Sequence, residues 1–392
     1  MKTLIELYDE RAIENVIGPE TFRPQDVVYL CPSEIAQNRK MQNKLRHFFA
    51  SRGLQIRLHF TECSMYKADT VYRQLQEIAA KYDDCTVDVT GGTDAALFGA
   101  GMFCQETGMP VFTYSRKRNK FYDINNASFA DALPCKLEYK AEEFFRMAGG
   151  VMRTGRVDNK ILSRYMDKYD VFFDVFLKHR RRWPDAITFL QRISQVDREL
   201  PIDLHVEGDF YQKGERGSRI KADVVLLEEL QEIGFIHGLA VETEKRVSFD
   251  FTDLQIRTWL RDVGSVLELY MYKKCMESGI FRDVVSSAVV DWDGSRGHDS
   301  VSNEIDVVAT RGVVPMFISC KATEVKTEAL NELAILRDRF GGKGAKAVIA
   351  TTENCNAAMR HRAAQLGIAV IDREEMERNE VPERLKIIMK VK

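Results

Sequence analysis

Residues 304–321, EIDVVATRGVVPMFISCK, decide how the second half of the chain is read. They read as two strands joined at Arg311-Gly312, with β-branched residues on both sides of the turn. Asp306 is a lone acid in an apolar run, between Ile305 and Val307-Val308, and Lys321 closes the second run after Met316-Phe317-Ile318. A charge buried in an apolar strand is costly unless it is paired or holds a metal. Opposite charges at neighbouring strand ends meet that demand for both groups. Taken alone, the hairpin fits a structural Asp–Lys pair at a sheet end as well as a catalytic acid–lysine pair.

Working outward, residues 257–275, RTWLRDVGSVLELYMYKKC, read as a helix in which Glu268 sits among Val266, Leu267, Leu269 and Tyr270. Such an acid is either a solvated helix carboxylate or a ligand aimed into a site. On the other side, TEALNELAILRDRF reads as a helix that leads into an apolar strand at 347–350. Ser319 stands two residues before Lys321, where the PD-(D/E)xK nuclease hairpin that this stretch resembles carries a second acid, and a hydroxyl is a poor ligand for Mg²⁺. Glu304, on the same strand face as Asp306, or Glu328 from the following helix is the expected replacement.

The chain has 392 residues, enough for two or three domains, with 45% hydrophobic and 30% charged residues. A formal net charge of -2 excludes binding to nucleic acid by bulk positive charge, so any such contact must be local. Eight cysteines with no CxxC pair suggest neither a zinc site nor a disulfide framework, and reduced thiols point to the cytoplasm. The N-terminal MKTLIELYDERAIENV carries charges every few residues and reads as no signal peptide. No apolar run approaches the roughly 20 residues of a membrane span, so no membrane partner is expected.

From the N-terminus, strands are expected at 3–8, 26–30, 55–60, 86–90 and PVFTYS, alternating with helices. That alternation predicts an α/β fold with a parallel, doubly wound sheet. Ligands in such sheets bind beyond the carboxyl ends of the strands. Thr90-Gly91-Gly92-Thr93-Asp94 lies at one such end, where glycine admits a ligand close to the backbone and the next helix offers free amides. A plain strand–helix turn capped by Thr93 or Asp94 fits the same residues. A side chain at Gly92 is expected to fill ligand space and leave the fold intact. SRKRNKFYDINN reads as a hairpin with a basic face or as a solvated charge run. Residues 141–255 are mainly helical. Their cluster Lys178-His179-Arg180-Arg181-Arg182-Trp183 suits either phosphate contact or a helix C-terminus. The stretch 226–251 resembles a small winged-helix unit.

Two resemblances organise these pieces. The helix with Glu268, the hairpin with Asp306 and Lys321, and the helix and strand after it resemble a PD-(D/E)xK, restriction-endonuclease-like core, with Ser319 as a departure. The pattern TLIELYDERAIENV followed by TGGTDAALFGAG resembles CARF domains, the sensors of CRISPR-associated effectors. Together they resemble a type III CRISPR ancillary nuclease. The implied domains are a Rossmann-like CARF sensor at 1–140, a helical, winged-helix-like connecting region at 141–255 and a nuclease domain at 256–392. The resemblance implies a homodimer gated by a cyclic oligoadenylate, cyclic tetra-adenylate above all. It implies metal-dependent cleavage of DNA, RNA or both, largely without sequence specificity, in antiviral defence. Ring contacts would fall on Asp9, Glu10, Arg11, Ser33, Thr90, Gly91, Gly92 and Thr93. Catalysis would fall on Glu268, Asp306 and Lys321, with Glu304 in support, and Mg²⁺ or Mn²⁺ would sit on Glu268 and Asp306. The helical middle would pass movement from sensor to nuclease. A non-enzymatic sensor with a decayed nuclease fold, and a repair or restriction nuclease needing no nucleotide, are the alternatives.

Overall fold

In the computed structural model, which describes residues 1–153, 159–195, 203–214, 217–292, 302–342 and 344–391, the alternation at the N-terminus folds as expected. Strands β1 (Thr3–Leu7), β2 (Asp26–Cys31), β3 (Arg57–Glu62), β4 (Cys85–Asp88), β5 (Val111–Ser115) and β6 (Lys120–Asn125) form one sheet in the order β3-β2-β1-β4-β5-β6. All neighbours are parallel except β5 and β6. Strands β1, β2 and β4 are buried along their whole length, as central strands covered on both faces must be. The charge run after β5 is the turn of the β5–β6 hairpin. Its Arg116 pairs with the buried Glu14 at 2.8 Å rather than facing solvent.

The second large sheet follows the order β17-β16-β15-β14-β13-β7. Its strands are β7 (Val151–Arg153), β13 (Asp283–Asp291), β14 (Ser302–Arg311), β15 (Val314–Lys321), β16 (Lys346–Thr351) and β17 (Ile368–Ile371). Strand β7 falls in the segment read as connecting region, yet it pairs with β13 as the sheet's edge. Between β7 and β13 lie β8 (His205–Asp209), β9 (Tyr211–Lys213), β10 (Arg219–Lys221), β11 (Ile236–Glu242) and β12 (Arg246–Phe251). Of these, β11, β12 and β8 make a small antiparallel sheet beside the helices Tyr169–His179, Trp183–Ile193 and Val224–Glu232.

This middle unit shares one hydrophobic core with the second sheet. Phe173 stacks on Tyr270 with ring centroids 3.9 Å apart, and Asp170 pairs with Lys273 at 2.7 Å and Lys274 at 3.0 Å. The helix bearing Glu268 is thereby clamped from outside. In the basic cluster at 178–183, Lys178 and His179 pair with Glu229, Arg180 with Glu353 and Arg182 with Asp223, while Arg181 is exposed. Lys178 and His179 form the last turn of the helix Tyr169–His179, as the helix-end reading expects.

The two large sheets also touch directly. The β14–β15 turn projects into the N-terminal core: Val313 is packed with Leu4, Phe48 and Tyr139, and Gly312 O accepts from Tyr139 N at 3.1 Å. Gly312 adopts φ +58°, which a two-residue turn demands and glycine supplies. A Cβ at Gly342, just past the helix Thr327–Gly341, would meet Ile13 Cγ2 at 2.7 Å. The helical middle is thus not the sole connection between the halves.

Candidate active site

The hairpin that carries Asp306 and Lys321 is β14–β15, with Val307 opposite Ile318 and Val308 opposite Phe317. Asp306 is half-buried on β14, beside the end of β15 where Ser319 and Lys321 stand. Its Oδ2 accepts from Cys320 N at 2.5 Å and from Ser319 Oγ at 3.3 Å. Burial pushes the Asp306 carboxyl upward; the Cys320 amide and the Lys321 charge pull it back. Ser319 therefore does not stand in for an acid. It donates to the acid that is present and helps fix its orientation.

On the other side of β14, the β13 register places Ser286 opposite Val307 and Ala288 opposite Ile305, so Ser287 faces Asp306. Ser287 has φ +51°, a conformation uncommon for any residue but glycine and costing on the order of 1 kcal/mol. In that conformation its hydroxyl donates to Glu268 Oε2 at 3.2 Å. Glu268 comes from the helix Ser265–Glu277, whose other residues are mostly buried apolar ones. Burial, then the charges of Asp306, Asp262 and Glu304, raise its carboxyl to about 8.

These groups surround one cleft. Glu268, Asp306, Glu304, Asp262, Ser286 and Ser287 all line it. Glu304 is exposed at its mouth, whereas Glu328 lies exposed on the first turn of the following helix and does not line it. Of the two expected replacements for a second acid, Glu304 is the one brought to the site. Asp262 and Ser287 were not legible as site residues. Asp262 carried a weak signal, since it precedes the helix by three residues, and its Oδ2 accepts from Gly264 N at 3.1 Å and Ser265 N at 2.8 Å.

Among the described residues no three His, Cys, Asp or Glu side chains form a ready metal cluster. A two-carboxylate site still fits Mg²⁺, which keeps several waters and is held by one or two carboxylates. The raised Glu268 and Asp306 carboxyls are what crowded, undercompensated acids produce, and a divalent cation would relieve that crowding.

The N-terminal residues converge at the carboxyl ends of three adjacent strands. Asp9, Glu10 and Arg11 follow β1, Ser33 follows β2, and Thr90 to Thr93 follow β4. Asp9 is buried and shapes its turn: its Oδ1 accepts from Arg11 N at 2.9 Å, and its N and O bond Asn15. Glu10 and Arg11 are exposed. Thr90 Oγ1 accepts from Tyr114 N at 2.9 Å, and Thr93 caps the helix Asp94–Thr107 through Ala96 N at 3.2 Å. A Cβ at Gly91 would lie 2.9 Å from Asp9 Cβ, so the two turns touch. Gly92 differs from expectation. It has φ +95°, and a Cβ there would meet Leu7 Cβ at 2.8 Å, so a side chain strains the fold before it reaches any ligand.

Comparison with known proteins gives one family match and several shared folds. Residues 257–387 match the family described as Card1-like, endonuclease domain. No curated protein matches the chain. Two solved structures share its fold over nearly its whole length. Protein VC1899 from Vibrio cholerae is 16% identical, with a TM-score of 0.76, covering 99% of this chain and 98% of that one. Can2 from Sulfobacillus thermosulfidooxidans, solved in complex with cyclic tetra-adenylate, is 17% identical, with a TM-score of 0.70 and 99% of each chain covered. The family match covers the C-terminal third of this chain, and Glu268, Asp306 and Lys321 lie inside it.

Proposed function

We propose that the chain is a cyclic-oligoadenylate-activated, metal-dependent nuclease of type III CRISPR antiviral defence, working as a homodimer on DNA, RNA or both. The observation that carries this reading is the pairing of two sites in one fold. An acidic cleft stands on the hairpin, Lys321 lies outside its lining but near enough for its charge to act on Asp306, and that hairpin's turn is anchored in the domain that bears the strand-end turns. The likeness to Can2, whose structure holds cyclic tetra-adenylate, supports that ring as activator.

Glu268 and Asp306 would hold Mg²⁺ or Mn²⁺, with Glu304 reaching in from the cleft mouth. The metal, when bound, supplies a more acidic water and neutralises charge on the scissile phosphate. Ser319 and the Cys320 amide hold Asp306 in place. Ser287 holds Glu268. Lys321 steadies the negative charge that grows on the phosphate as it is attacked. On the sensor side, Arg11, Ser33 and the amides opening the helix Asp94–Thr107 offer donors to ring phosphates, while the Thr93 hydroxyl donates to Met65 O and shapes the turn. Gly91 and Gly92 keep the two turns packed together. Phe98 and Met102, spaced i,i+4 on that same helix, are 66% and 50% exposed, and Tyr66 is 78% exposed. Apolar exposure of this kind suits a subunit interface. A two-fold axis there would present the Thr90–Thr93 turn twice to one two-fold ring.

The test is cleavage of plasmid, single-stranded DNA and RNA with and without cyclic tetra-adenylate, in Mg²⁺ or Mn²⁺. Ring-dependent cleavage that Asp306→Asn abolishes is expected. Cleavage indifferent to the ring would remove the gating, and cleavage by folded Asp306→Asn would remove the site.

A further inference from the structure

Beside the acidic cleft lies a second, larger one of about 540 Å³, lined by Gln191, Arg192, Gln195, Arg257, Arg261 and residues shared with its neighbour. The shared residues are Thr258 and Asp262, so the two cavities adjoin. One wall is the end of the helix Trp183–Ile193 from the middle unit. The other is the helix Leu254–Trp259 and the turn into the helix of Glu268.

Among the described residues, several arginines elsewhere are paired with acids, and those of this cleft are not. Arg52, Arg57, Arg116, Arg180 and Arg182 are each matched by a carboxylate. Arg257 is only 6% exposed, and its Nη2 donates to a carbonyl, Ser194 O, at 2.6 Å. The Nε atoms of Arg257 and Arg261 are both buried with no hydrogen-bond partner. Burial lowers both guanidiniums from their ordinary range, and Arg261 lowers Arg257 further by its own charge. Asp262, the acid in the lining, spends one oxygen capping the Glu268 helix. A buried guanidinium beside a second, half-buried one is costly unless something anionic completes them. Guanidinium forks match phosphate oxygens bidentately.

Resting on the reading of the chain as a nuclease, we infer that the Arg192–Arg257–Arg261 cleft binds a backbone phosphate of the substrate strand next to the scissile one. The chain's net charge of -2 agrees with such a local contact. It also gives the middle unit a role, as one jaw of the substrate channel, which its ion-paired 178–183 cluster does not supply. Arg257 holds the jaws together through Ser194, and Arg261 and Arg192 reach toward the strand.

The experiment uses the full chain with saturating cyclic tetra-adenylate and fluorescein-labelled single-stranded DNA and RNA oligonucleotides. Anisotropy is followed as salt is varied, in an Asp306→Asn background, and KM and kcat are measured with Asp306 intact. Arg261→Gln and Arg192→Gln are expected to weaken strand binding roughly 10-fold each and to raise KM more than they lower kcat. The slope of log affinity against log salt should fall by about 0.7–0.9 for one lost phosphate contact. Arg261→Lys should restore most of that slope, which a purely structural role would not require. Folded Arg261→Gln and Arg192→Gln proteins with wild-type affinity and slope would overturn the inference and leave the acidic cleft intact as the site. Failure of the nuclease reading looks different: Asp306→Asn would then cut as well as wild type.

Discussion

The chain holds two nests of carboxylates, one in each large sheet, and they are built in opposite ways. In the N-terminal sheet, Glu6 on β1 and Asp88 on β4 are fully buried, with Glu14 beside them at 2% exposure. Burial first, then Asp88, raises the Glu6 carboxyl well above its ordinary value, and burial raises Asp88 to about 7. A proton shared between these two acids settles most of their conflict. Arg116 balances Glu14, and Asp88 Oδ1 accepts from Thr90 N at 2.8 Å. No space is left: a Cβ at Gly18 would collide with Asp88 Oδ2 and lie 2.8 Å from Glu6 Oε1. The second nest, Glu268, Asp306 and Glu304, opens into a cleft with Lys321 at the nearby strand end. Both nests raise carboxyl pKa values, so the shift alone does not mark the active site. Access does: the closed nest satisfies itself with a proton, and the open one is left for a cation.

The difference can be broken most sharply at Asp306. Asp306→Asn keeps the shape and removes the charge, and cleavage should fall at least 100-fold, on the order of 3 kcal/mol of barrier. Rates on a fluorescent substrate decide, with a melting curve showing the fold intact. The same conservative change in the closed nest, Glu6→Gln, should leave ring-activated cleavage near wild type.

Next in size is steric. Gly18→Ala overpacks the closed nest and should cost about 1–3 kcal/mol of stability by denaturant titration. Gly92→Asp should also lower the melting temperature, through Leu7 and its positive φ. A Gly92→Asp protein with wild-type stability would contradict the packing of the Thr90–Thr93 turn.

A smaller effect separates the nests by their response to metal. Glu268→Gln replaces a carboxyl that burial keeps largely protonated below about pH 8, so it should leave the metal-free melting temperature near wild type while abolishing cleavage. Mg²⁺ should stabilise the wild type but not this variant. Because Glu268 titrates at about 8, apparent metal affinity should climb with pH up to that value. Equal metal responses in the two proteins would move the metal elsewhere.

The smallest effect is on stability against pH. Unfolded Asp ionises near 4, but folded Asp88 holds its proton to about 7, so between these values the folded chain binds the extra proton. Its contribution is complete below about pH 4 and is lost as pH rises through about 7. Glu6, raised in the same sense, extends the loss upward. Asp88→Asn should flatten that fall, measured by melting across the pH range in chelator, whereas Glu304→Gln should not.

Much of this was legible in the sequence because the signals were local. Alternating strands and helices, the Arg311-Gly312 turn and the odd acids Asp306 and Glu268 each stand out against apolar neighbours. What stayed hidden depends on contacts distant in sequence. Ser287 looks like any strand serine until its φ is known. Gly92 looks like a ligand gap until Leu7 is placed under it. Strand β7, three residues long, has no periodicity to read, yet Arg153 pairs with the buried Asp291 at 2.6 Å and closes the sheet edge. The 178–183 run stood out by composition, but carboxylates at 223, 229 and 353 neutralise most of it.

The seating of Val313 in the N-terminal core has a consequence for how this protein can be taken apart. Strand β15 runs from Val314 to Lys321, about 23 Å at 3.3 Å per residue, so one unbroken strand joins the N-terminal core to Lys321 beside the acidic cleft. An extended strand has no slack. The helix Ala141–Met147 ties the same halves a second time, with Phe144 in the N-terminal core and Phe145 in the core of the second sheet, so the hairpin turn and this helix together set their spacing. Grafting a foreign sensor onto residues 141–391 would strip Val313 of its cover and leave the hairpin tip without a seat. In this protein the working seam for recombination lies at the Gly312 turn, far along the chain from where a domain boundary is drawn.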